Sequence, residues 1–311
     1  MKILFTGGSS FTGYWFIKEL ASAGHEVVAI FRQPLDAYPD ELRRKRIVAL
    51  APICHSVFGT HFGDDHFLEL IKESKWDLLC HHGAEVKNYN NSSFDVTAAV
   101  ASNTHRLPVV LDGLMNAGCN RIIVTGSVFE NDEGAGSAEL RAFSPYGLSK
   151  NATWQMFKYY VQDRSMALGK FVIPNPFGPY EEQRFTHYLM KHWFAGAKPA
   201  VNTPSYIRDN IHVSLLAKAY AYFAANLVGG VIRTNPSGYV ESQGAFAQRV
   251  AHEMRQRLDL KCELEIKTQT VFREPRVRIN TDEPDVKILN WDESIAWDEM
   301  ANYYSMLMAR C

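Results

Sequence analysis

Residues 2–13 read KILFTGGSSFTG, an apolar run followed by a glycine-rich turn and the start of a helical pattern. Residues 2–5 suit a β-strand, and the apolar periodicity over residues 11–23 predicts a helix. Between the two elements lie Gly7, Gly8 and Gly13. Such a turn lets the backbone approach a pyrophosphate, and the helix N-terminus supplies N–H donors. The alternative is an ordinary glycine-rich turn, so the motif needs support from the rest of the chain.

Short apolar runs alternate with helical patterns through the first half of the chain. The predicted strands after the first are residues 27–31, 76–80, 121–125 and 169–173, and the predicted helices include 107–117 and 146–163. Strands that alternate with helices imply a parallel sheet covered by helices on both faces. The predicted fold class is therefore α/β, a doubly wound parallel sheet of the Rossmann type with a smaller C-terminal lobe.

The domain organisation follows from where this alternation ends. Residues 1–173 are predicted to form a dinucleotide-binding domain that also receives residues 208–235. Residues 174–311 contain proline-marked turns and less regular elements, and are predicted to form mainly a substrate-binding lobe. Residues 213–228 are rich in Ala and Leu, but Lys218 interrupts them, which predicts a packed amphipathic helix.

Composition and charge exclude several classes of function. The chain has 311 residues, 46% of them hydrophobic, and a net charge of −1, so no basic surface for nucleic acid is indicated. Five scattered cysteines without CxxC spacing predict free thiols in a reducing cytoplasm. The first apolar run is too short for a signal peptide, and no run is long enough to span a membrane. The 11 histidines show no metal-site spacing, so no catalytic metal is expected.

The end of the second predicted strand bears on the choice of cofactor. Phe31 and Arg32 stand there, where NAD-binding proteins usually place an acidic residue on the ribose 2′-hydroxyl. A guanidinium suits a 2′-phosphate instead, through charge-assisted bonds. Arg32 therefore favours NADP, with NAD as the open alternative. A solvated arginine at a strand end is the other interpretation.

Further motifs follow along the chain. In order they are TGGSSFTG at 6–13, Gly63-Asp64, His81-His82-Gly83-Ala84, Asn103, Ser127 in VTGS, YGLSK at 146–150, PNPFGP at 174–179 and RDNIHV at 208–213. In this order and spacing the chain resembles the extended short-chain dehydrogenase/reductase family, in its nucleotide-sugar epimerase, dehydratase and reductase branch. Ser10 stands where the family's glycine motif has its middle glycine, and two residues of the HHGA segment also depart from the family pattern.

The resemblance implies an NAD(P) cofactor and the residues that hold it. These are Gly7, Ser9, Ser10, Phe11, Thr12, Gly13, Arg32, Asp64, His82, Gly83, Lys150 and Pro174. In the family pattern, Asp64 contacts the adenine and the segment around His82 lies beside the cofactor. Asn103 resembles a family residue that braces the sheet.

The resemblance also implies a catalytic set of Ser127, Tyr146 and Lys150. Tyr146 and Lys150 are four residues apart and share one helix face, and Ser144 and Pro145 suit the cap and first turn of that helix. A free phenol has a pKa of about 10, and a nearby ammonium lowers it. Tyr146 would exchange a proton with a sugar hydroxyl while hydride moves to or from the nicotinamide. The alternatives are a buried aromatic beside a surface lysine, and for Ser127 a hydroxyl bonded to its own backbone.

The residues after Ser127 favour one class of reaction. Family members that eliminate water have an Asp-Glu pair there, whereas this chain has Val128 and Phe129, with Glu130 one position beyond. This argues for 4-keto reduction or 4-epimerisation of a nucleotide-activated sugar. A reductase of a non-sugar carbonyl and a non-catalytic NADP-sensing protein remain the alternatives.

Candidate substrate-binding residues lie in the C-terminal lobe. Asn175 and Arg208 are candidates for the substrate diphosphate, together with one of Arg273, Arg276 and Arg278, of which Arg276 is preferred. Each arginine is otherwise a solvated or structural ion pair. The expected partner is a nucleotide-diphosphate sugar, and the resemblance suggests a cytoplasmic homodimer.

Overall fold

The structure, a computed structural model, describes residues 1–86, 89, 91 and 93–309. They form two compact units. The first contains Met1–Glu133, Leu140–Ile173 and Ala217–Asn235, and the second contains Gly134–Glu139, Pro174–Leu216 and the chain from Pro236 onward. The sequence predicts that all of 208–235 joins the first domain, but residues 208–216 group with the second unit.

The described residues form the following elements. The strands are β1 (Lys2–Thr6), β2 (Glu26–Phe31), β3 (His55–Phe58), β4 (Leu78–His81), β5 (Arg121–Ser127), β6 (Ala135–Gly136), β7 (Ala167–Ile173), β8 (Asn175–Phe177), β9 (Ala200–Val201), β10 (Ile207–His212), β11 (Val231–Thr234), β12 (Tyr239–Ser242), β13 (Glu265–Ile266) and β14 (Val277–Ile279). The α-helices are α1 (Phe11–Ser22), α2 (Glu41–Leu50), α3 (Asp65–Lys72), α4 (Val96–Asn103), α5 (Leu107–Asn116), α6 (Pro145–Val161), α7 (Phe185–Phe194), α8 (Val213–Ala225), α9 (Gln243–Arg257) and α10 (Glu293–Met308).

The first unit is built on a seven-stranded sheet in the order β11-β7-β5-β4-β1-β2-β3. Every pairing in this sheet is parallel. The chain adds β2 and β3 on one side of β1 and β4, β5, β7 and β11 on the other, so the strand order switches between β1 and β4. In doubly wound sheets ligands bind at the carboxyl ends of the strands beside such a switch point. The predicted α/β Rossmann class is confirmed.

The helix with the YGLSK motif begins one residue earlier than predicted. Pro145 is its first residue because the Ser144 side chain accepts a hydrogen bond from Gly147 N–H at 3.3 Å and caps the helix. Strand β4 starts at Leu78 rather than at Trp76. Trp76 is buried instead as a core residue, and its indole N–H donates to Ile71 O at 3.0 Å.

The second unit contains a sheet in the order β12-β10-β14-β6, with β8 also pairing with β10. Its core is formed by aromatic and aliphatic side chains from α7, α9 and α10 around Phe177 and Trp297. His212, predicted to be a packed structural residue, is buried, and burial lowers its pKa to about 3.

Three properties of the described residues bear on function. No helix among them is long and apolar enough to cross a membrane. Over the same residues, no group of three or more His, Cys, Asp or Glu side chains is placed to hold a metal ion. Cys54, Cys80, Cys119 and Cys262 are free thiols, whereas Cys311 lies outside the described residues.

Candidate active site

In the glycine turn after β1, the backbone of Gly7 lies close to the backbone of Gly83, and that of Gly13 lies close to Gly7 O. Gly7 has a φ of +83°, and a Cβ there would lie 2.7 Å from Gly83 N. A Cβ on Gly13 would lie 2.3 Å from Gly7 O. Only glycine fits both places without displacing backbone. The turn is therefore held in a close-packed form directly before the start of α1.

Ser10 supplies the cap of α1 in place of a glycine. Its Oγ donates to Gly7 O at 2.9 Å and accepts the Gly13 N–H at 3.1 Å. The first turn of α1 consists of the uncharged residues Phe11, Thr12, Gly13 and Tyr14. Because the first N–H groups of a helix have no partner within it, this end of α1 suits an anionic group.

His82 joins the glycine turn to the centre of the sheet. Its Nε2 lies 3.0 Å from Ser10 Oγ and 3.1 Å from Thr12 Oγ1, and its Nδ1 lies 3.0 Å from Thr125 Oγ1. Burial, with the Lys150 charge adding to it, lowers the pKa of His82 to about 3. The neutral imidazole of His82 thus bonds hydroxyls of the turn and of β5. These bonds give a structural reason for a histidine at position 82, where the HHGA segment departs from the family pattern.

Arg46 is a residue of this region that the sequence analysis did not identify. It lies on α2 with its side chain fully buried, and its guanidinium donates to Ser9 O at 3.2 Å and lies over the Phe11 ring. The contact fixes the carbonyl side of the turn. The sequence signal is weak, because RRKR in residues 43–46 is typical of an exposed helix face.

Arg32 and Asp64 both have protein partners. The Arg32 guanidinium lies 3.1 Å from Glu85 Oε2 in a half-exposed ion pair. Asp64 caps α3 by accepting the Phe67 N–H at 2.8 Å, and it also accepts the His61 N–H at 2.7 Å. Both side chains remain partly accessible.

Ser127, the residue predicted to supply the catalytic hydroxyl, is the last residue of β5, which extends two residues beyond the predicted strand. Its Oγ accepts the Phe129 N–H at 3.3 Å. This is the local backbone bond that the sequence analysis gave as an alternative. The bond uses a lone pair of Oγ and not its proton, so it is compatible with a hydroxyl that donates to a substrate oxygen.

Tyr146 and Lys150 lie in the first two turns of α6. The Tyr146 ring packs edge-on against Tyr89 and Phe94, with ring centres 5.6 and 6.2 Å away. Asn103 braces the same helix, donating to Thr153 Oγ1 at 3.2 Å and accepting the Glu85 N–H at 2.9 Å. These contacts fix the helix that presents the pair.

Lys150 is a buried ammonium, 5% exposed. Burial lowers its pKa from 10.5 to about 8, the Glu130 carboxylate opposes that shift, and the Lys170 charge adds to it. Lys150 therefore stays charged at neutral pH and loses its proton on moderate alkalinisation. Such a group can tune a neighbouring phenol over the physiological range.

A buried network of charges lies behind Ser127. The Lys170 ammonium on β7 contacts Glu130 Oε2 and Glu133 Oε1, each at 2.6 Å. Glu130 Oε1 accepts the Ser127 N–H at 2.7 Å, and Glu133 Oε2 accepts from Asn235 at 3.2 Å. No sequence motif predicts this network, although the lysine within the strand GKFVI is a visible signal.

The predicted substrate residues lie in the second unit. Asn175 is partly exposed in β8, opposite Asn210 of β10. Arg208 is heavily engaged: its guanidinium donates to Ile207 O and Arg276 O at 2.9 and 3.1 Å and pairs with Glu274 at 3.0 Å.

The remaining candidates in that unit differ in exposure. Arg276 is exposed, with its guanidinium over the Phe272 ring, and it donates to Ser205 O at 3.3 Å. Arg273 is exposed and Arg278 is buried in β14. Pro174, a predicted cofactor residue, is buried in the second unit, directly after β7.

A family model and several solved structures are similar to this chain. The model of the NAD dependent epimerase/dehydratase family matches residues 3–257. UDP-glucose 4-epimerase from Thermotoga maritima is 15% identical with a TM-score of 0.75, and the match covers 99% of this chain and 100% of that one. UDP-glucuronic acid 4-epimerase from Bacillus cereus, in complex with NAD, is 16% identical with a TM-score of 0.75 and the same coverage.

A dehydratase has the same fold. The dTDP-glucose 4,6-dehydratase of Streptomyces venezuelae, with NAD bound, is 16% identical with a TM-score of 0.70, and the match covers 100% of this chain and 98% of that one. No match was found among curated proteins. At these identities the solved structures establish the fold, and the family model extends over most of the chain.

Proposed function

The chain belongs to the NAD-dependent epimerase/dehydratase family, and on this premise we propose that it reduces a 4-keto group, or inverts the 4-position, of a nucleotide-activated sugar. The observation that carries the proposal is the buried, charged Lys150 one helical turn from Tyr146, with Ser127 at the end of β5. These are the groups that proton exchange with a sugar hydroxyl requires.

The glycine turn fits a dinucleotide. The contacts of Gly7 and Gly13 leave no room for a Cβ, and the first turn of α1 is uncharged. The residues proposed to hold the cofactor are those of the turn, together with Asp64, His82, Gly83, Lys150 and Pro174. A bound nicotinamide supplies the ability to accept and return a hydride.

The chain's own residues handle the proton. The Lys150 ammonium favours the phenolate form of Tyr146 over the phenol because opposite charges attract in a poorly solvated site. Tyr146 then takes or gives a proton at its phenolic oxygen. Ser127 donates its hydroxyl proton to the same substrate oxygen and fixes its position.

Elimination of water is not part of the proposed reaction. Val128 is buried, and Glu130, the acidic residue that follows, is fully buried and paired with Lys170. A general acid or base must lie within hydrogen-bond reach of the atom whose proton it transfers. Glu130 faces the protein interior, so it does not take the place of the missing acidic pair.

We expect mass spectrometry of reaction products to show no loss of water. Purified protein is incubated with nucleotide hexoses, and separately with their 4-keto derivatives, with and without reduced cofactor. A reductase consumes one reduced nicotinamide for each keto sugar, and an epimerase turns over without net consumption. Enzymatic formation of a 4-keto-6-deoxy sugar from a plain nucleotide hexose would contradict the assignment.

The proposed cofactor is NADP rather than NAD. The family is NAD-dependent and its solved members include NAD complexes, so the preference rests on Arg32 alone. A half-exposed ion pair contributes little free energy. Breaking the Arg32–Glu85 pair so that Arg32 can bind a 2′-phosphate therefore loses little free energy. The phosphate offers the guanidinium stronger, charge-assisted bonds.

NADPH should therefore bind about tenfold more tightly than NADH, the worth of one charge-assisted hydrogen bond at a half-exposed site. Arg32→Ala should remove the difference, and Glu85→Gln should widen it by releasing Arg32. Fluorescence titration of each nucleotide against the three proteins measures this. Equal affinities in the parent protein would refute the NADP assignment and leave the fold unaffected.

A second candidate, reduction of a non-sugar carbonyl, is favoured by one observation. Arg208, expected to bind a diphosphate, is bound instead to backbone carbonyls and Glu274. This candidate predicts NADPH oxidation with simple ketones or aldehydes and no response to nucleotide sugars in the same assay.

A further inference from the structure

Glu130 contacts the predicted catalytic strand end directly. Its side chain is 0% exposed, and its Oε1 accepts the Ser127 N–H at 2.7 Å while its own N–H donates to Ser127 O at 3.0 Å. The two bonds close a tight turn from Ser127 to Glu130. Because the carboxylate takes the N–H of Ser127 itself, any movement of Glu130 moves the residue whose hydroxyl is proposed to hold the substrate oxygen.

Residue 126, directly before Ser127, is a glycine and leaves space for the Glu130 and Lys170 side chains. A Cβ on Gly126 would lie 2.8 Å from Lys170 Cε and 3.1 Å from Glu130 Oε1. A Cβ at residue 126 would thus press on both members of the buried pair. A side chain here would separate the carboxylate from the strand.

The same network reaches the helix that holds Tyr146 and Lys150. The Lys170 ammonium lies over the Trp154 ring at 5.2 Å, and Trp154 is one turn beyond Lys150 on the same face of α6. Gly147, on the same helix three residues before Lys150, lies so close to Phe129 O that a Cβ there would collide with it, so the turn that ends at Glu130 packs directly against α6. The end of β5 and helix α6 are therefore connected through the buried Glu130–Lys170 pair.

We propose that Glu130 is a positioning residue, which fixes the Ser127 backbone and places a buried carboxylate beside the helix that holds the Lys150 ammonium. The inference rests on the proposed function, since it assigns Glu130 its effect through Ser127 and Lys150. A carboxylate in a water-excluded site acts on a neighbouring ammonium much more strongly than it would in water.

The charged and titratable groups around Lys150 come from every neighbouring element. Glu130 follows β5 and raises the pKa of Lys150, while Lys170 on β7 lowers it. His81 and His82 at the end of β4 have pKa values near 3, lowered by burial and then by Lys150 itself, so they are neutral. Tyr146 lies one turn away on α6. When the Glu130 charge is removed, the charged group of this set that remains is Lys170, which repels the Lys150 ammonium.

Glu130→Gln tests the inference because it keeps the shape and removes the charge. Lys150 should lose its proton at a pH lower by about one unit, the lower end of what a neighbouring charge produces. The alkaline limb of the kcat/KM profile should move to lower pH by the same amount. The Lys150 titration is read by NMR on protein with isotope-labelled lysine, its signal assigned by its absence in Lys150→Met.

Glu133→Gln is the matched control. Glu133 contacts the same Lys170 ammonium at 2.6 Å, and its carboxylate bonds Asn235. It should leave the Lys150 titration close to that of the parent. Glu130→Asp, which restores the charge with a shorter side chain, should recover most of the shift. An unchanged Lys150 titration in Glu130→Gln, or an equal shift in Glu133→Gln, would overturn the inference.

Two arrangements keep the test decisive. If Glu130→Gln does not fold, the variant Lys170→Met/Glu133→Gln is compared with the triple variant that adds Glu130→Gln; the two proteins differ only in the Glu130 charge, and Lys150 should again titrate about one pH unit lower without it. The NMR titration needs no substrate, so it separates two failures. A parent protein inactive on every nucleotide sugar would refute the proposed function, whereas an unmoved Lys150 would refute the role of Glu130.

Discussion

Tyr146→Phe is expected to lower turnover by about 10²–10⁴-fold, the usual contribution of a positioned acid or base. Phenylalanine keeps the ring that packs edge-on against Tyr89 and Phe94, so folding and packing should be preserved. Because the phenolic oxygen is proposed to carry a substrate proton and not to hold the cofactor, nicotinamide affinity should change little. The measurement is kcat at saturating cofactor and substrate, with cofactor affinity measured separately by titration.

Tyr159→Phe is the matched control for this variant. Tyr159 lies on the same helix with 67% of its surface exposed, so the same loss of a hydroxyl should leave turnover unchanged.

Lys150→Ala should weaken both cofactor binding and turnover. The double variant with Tyr146→Phe should be little worse than the poorer single variant, since the two groups act as a unit. Retention of more than about a third of parent activity by Tyr146→Phe, far above the expected loss, would show that Tyr146 is not the proton carrier.

The sequence predicted the parts of the site that depend on neighbouring residues. The glycine turn and its helix are contiguous, and so are the cap, the proline and the YGLSK face of α6. Local backbone rules determine such features. Their structural settings, though not their chemical roles, could therefore be read from short windows of the chain.

The sequence could not predict features that depend on distant partners. Lys170 and Glu130 are 40 residues apart, and Lys170 and Glu133 are 37 apart, so no local pattern joins them. Arg208 shows the same limit in the opposite direction. The motif around Arg208 suggests a ligand, whereas the guanidinium already donates a hydrogen bond to Glu274, a residue 66 positions further along the chain.

Lys170 is the position where a single substitution should cost the most stability. Lys170→Met keeps most of the length of the side chain but leaves Glu130 and Glu133 buried without the ammonium that contacts both at 2.6 Å. Breaking a buried ion pair by removing one partner typically destabilises a protein by about 3–5 kcal/mol. Chemical denaturation at neutral pH should show a loss of this size in the free energy of unfolding.

The loss should depend on pH in a defined direction. Burial already raises the pKa of Glu130, and without Lys170 its pKa in the folded state rises further above the unfolded value. The folded variant then binds more protons than the unfolded chain, so its stability falls as pH increases above the unfolded carboxyl pKa of about 4.3. Lys170→Met should accordingly lie closest to the parent near that pH and fall furthest below it at neutral pH.

A neutral replacement of the whole cluster separates charge from packing. The triple variant Lys170→Met/Glu130→Gln/Glu133→Gln keeps the volumes and removes every buried charge of the cluster, and such replacements are often neutral or stabilising. It should recover most of the stability lost in Lys170→Met and show little of its pH dependence. A triple variant as unstable as Lys170→Met would mean that the loss comes from the ammonium that lies over the Trp154 ring rather than from the unpaired carboxylates.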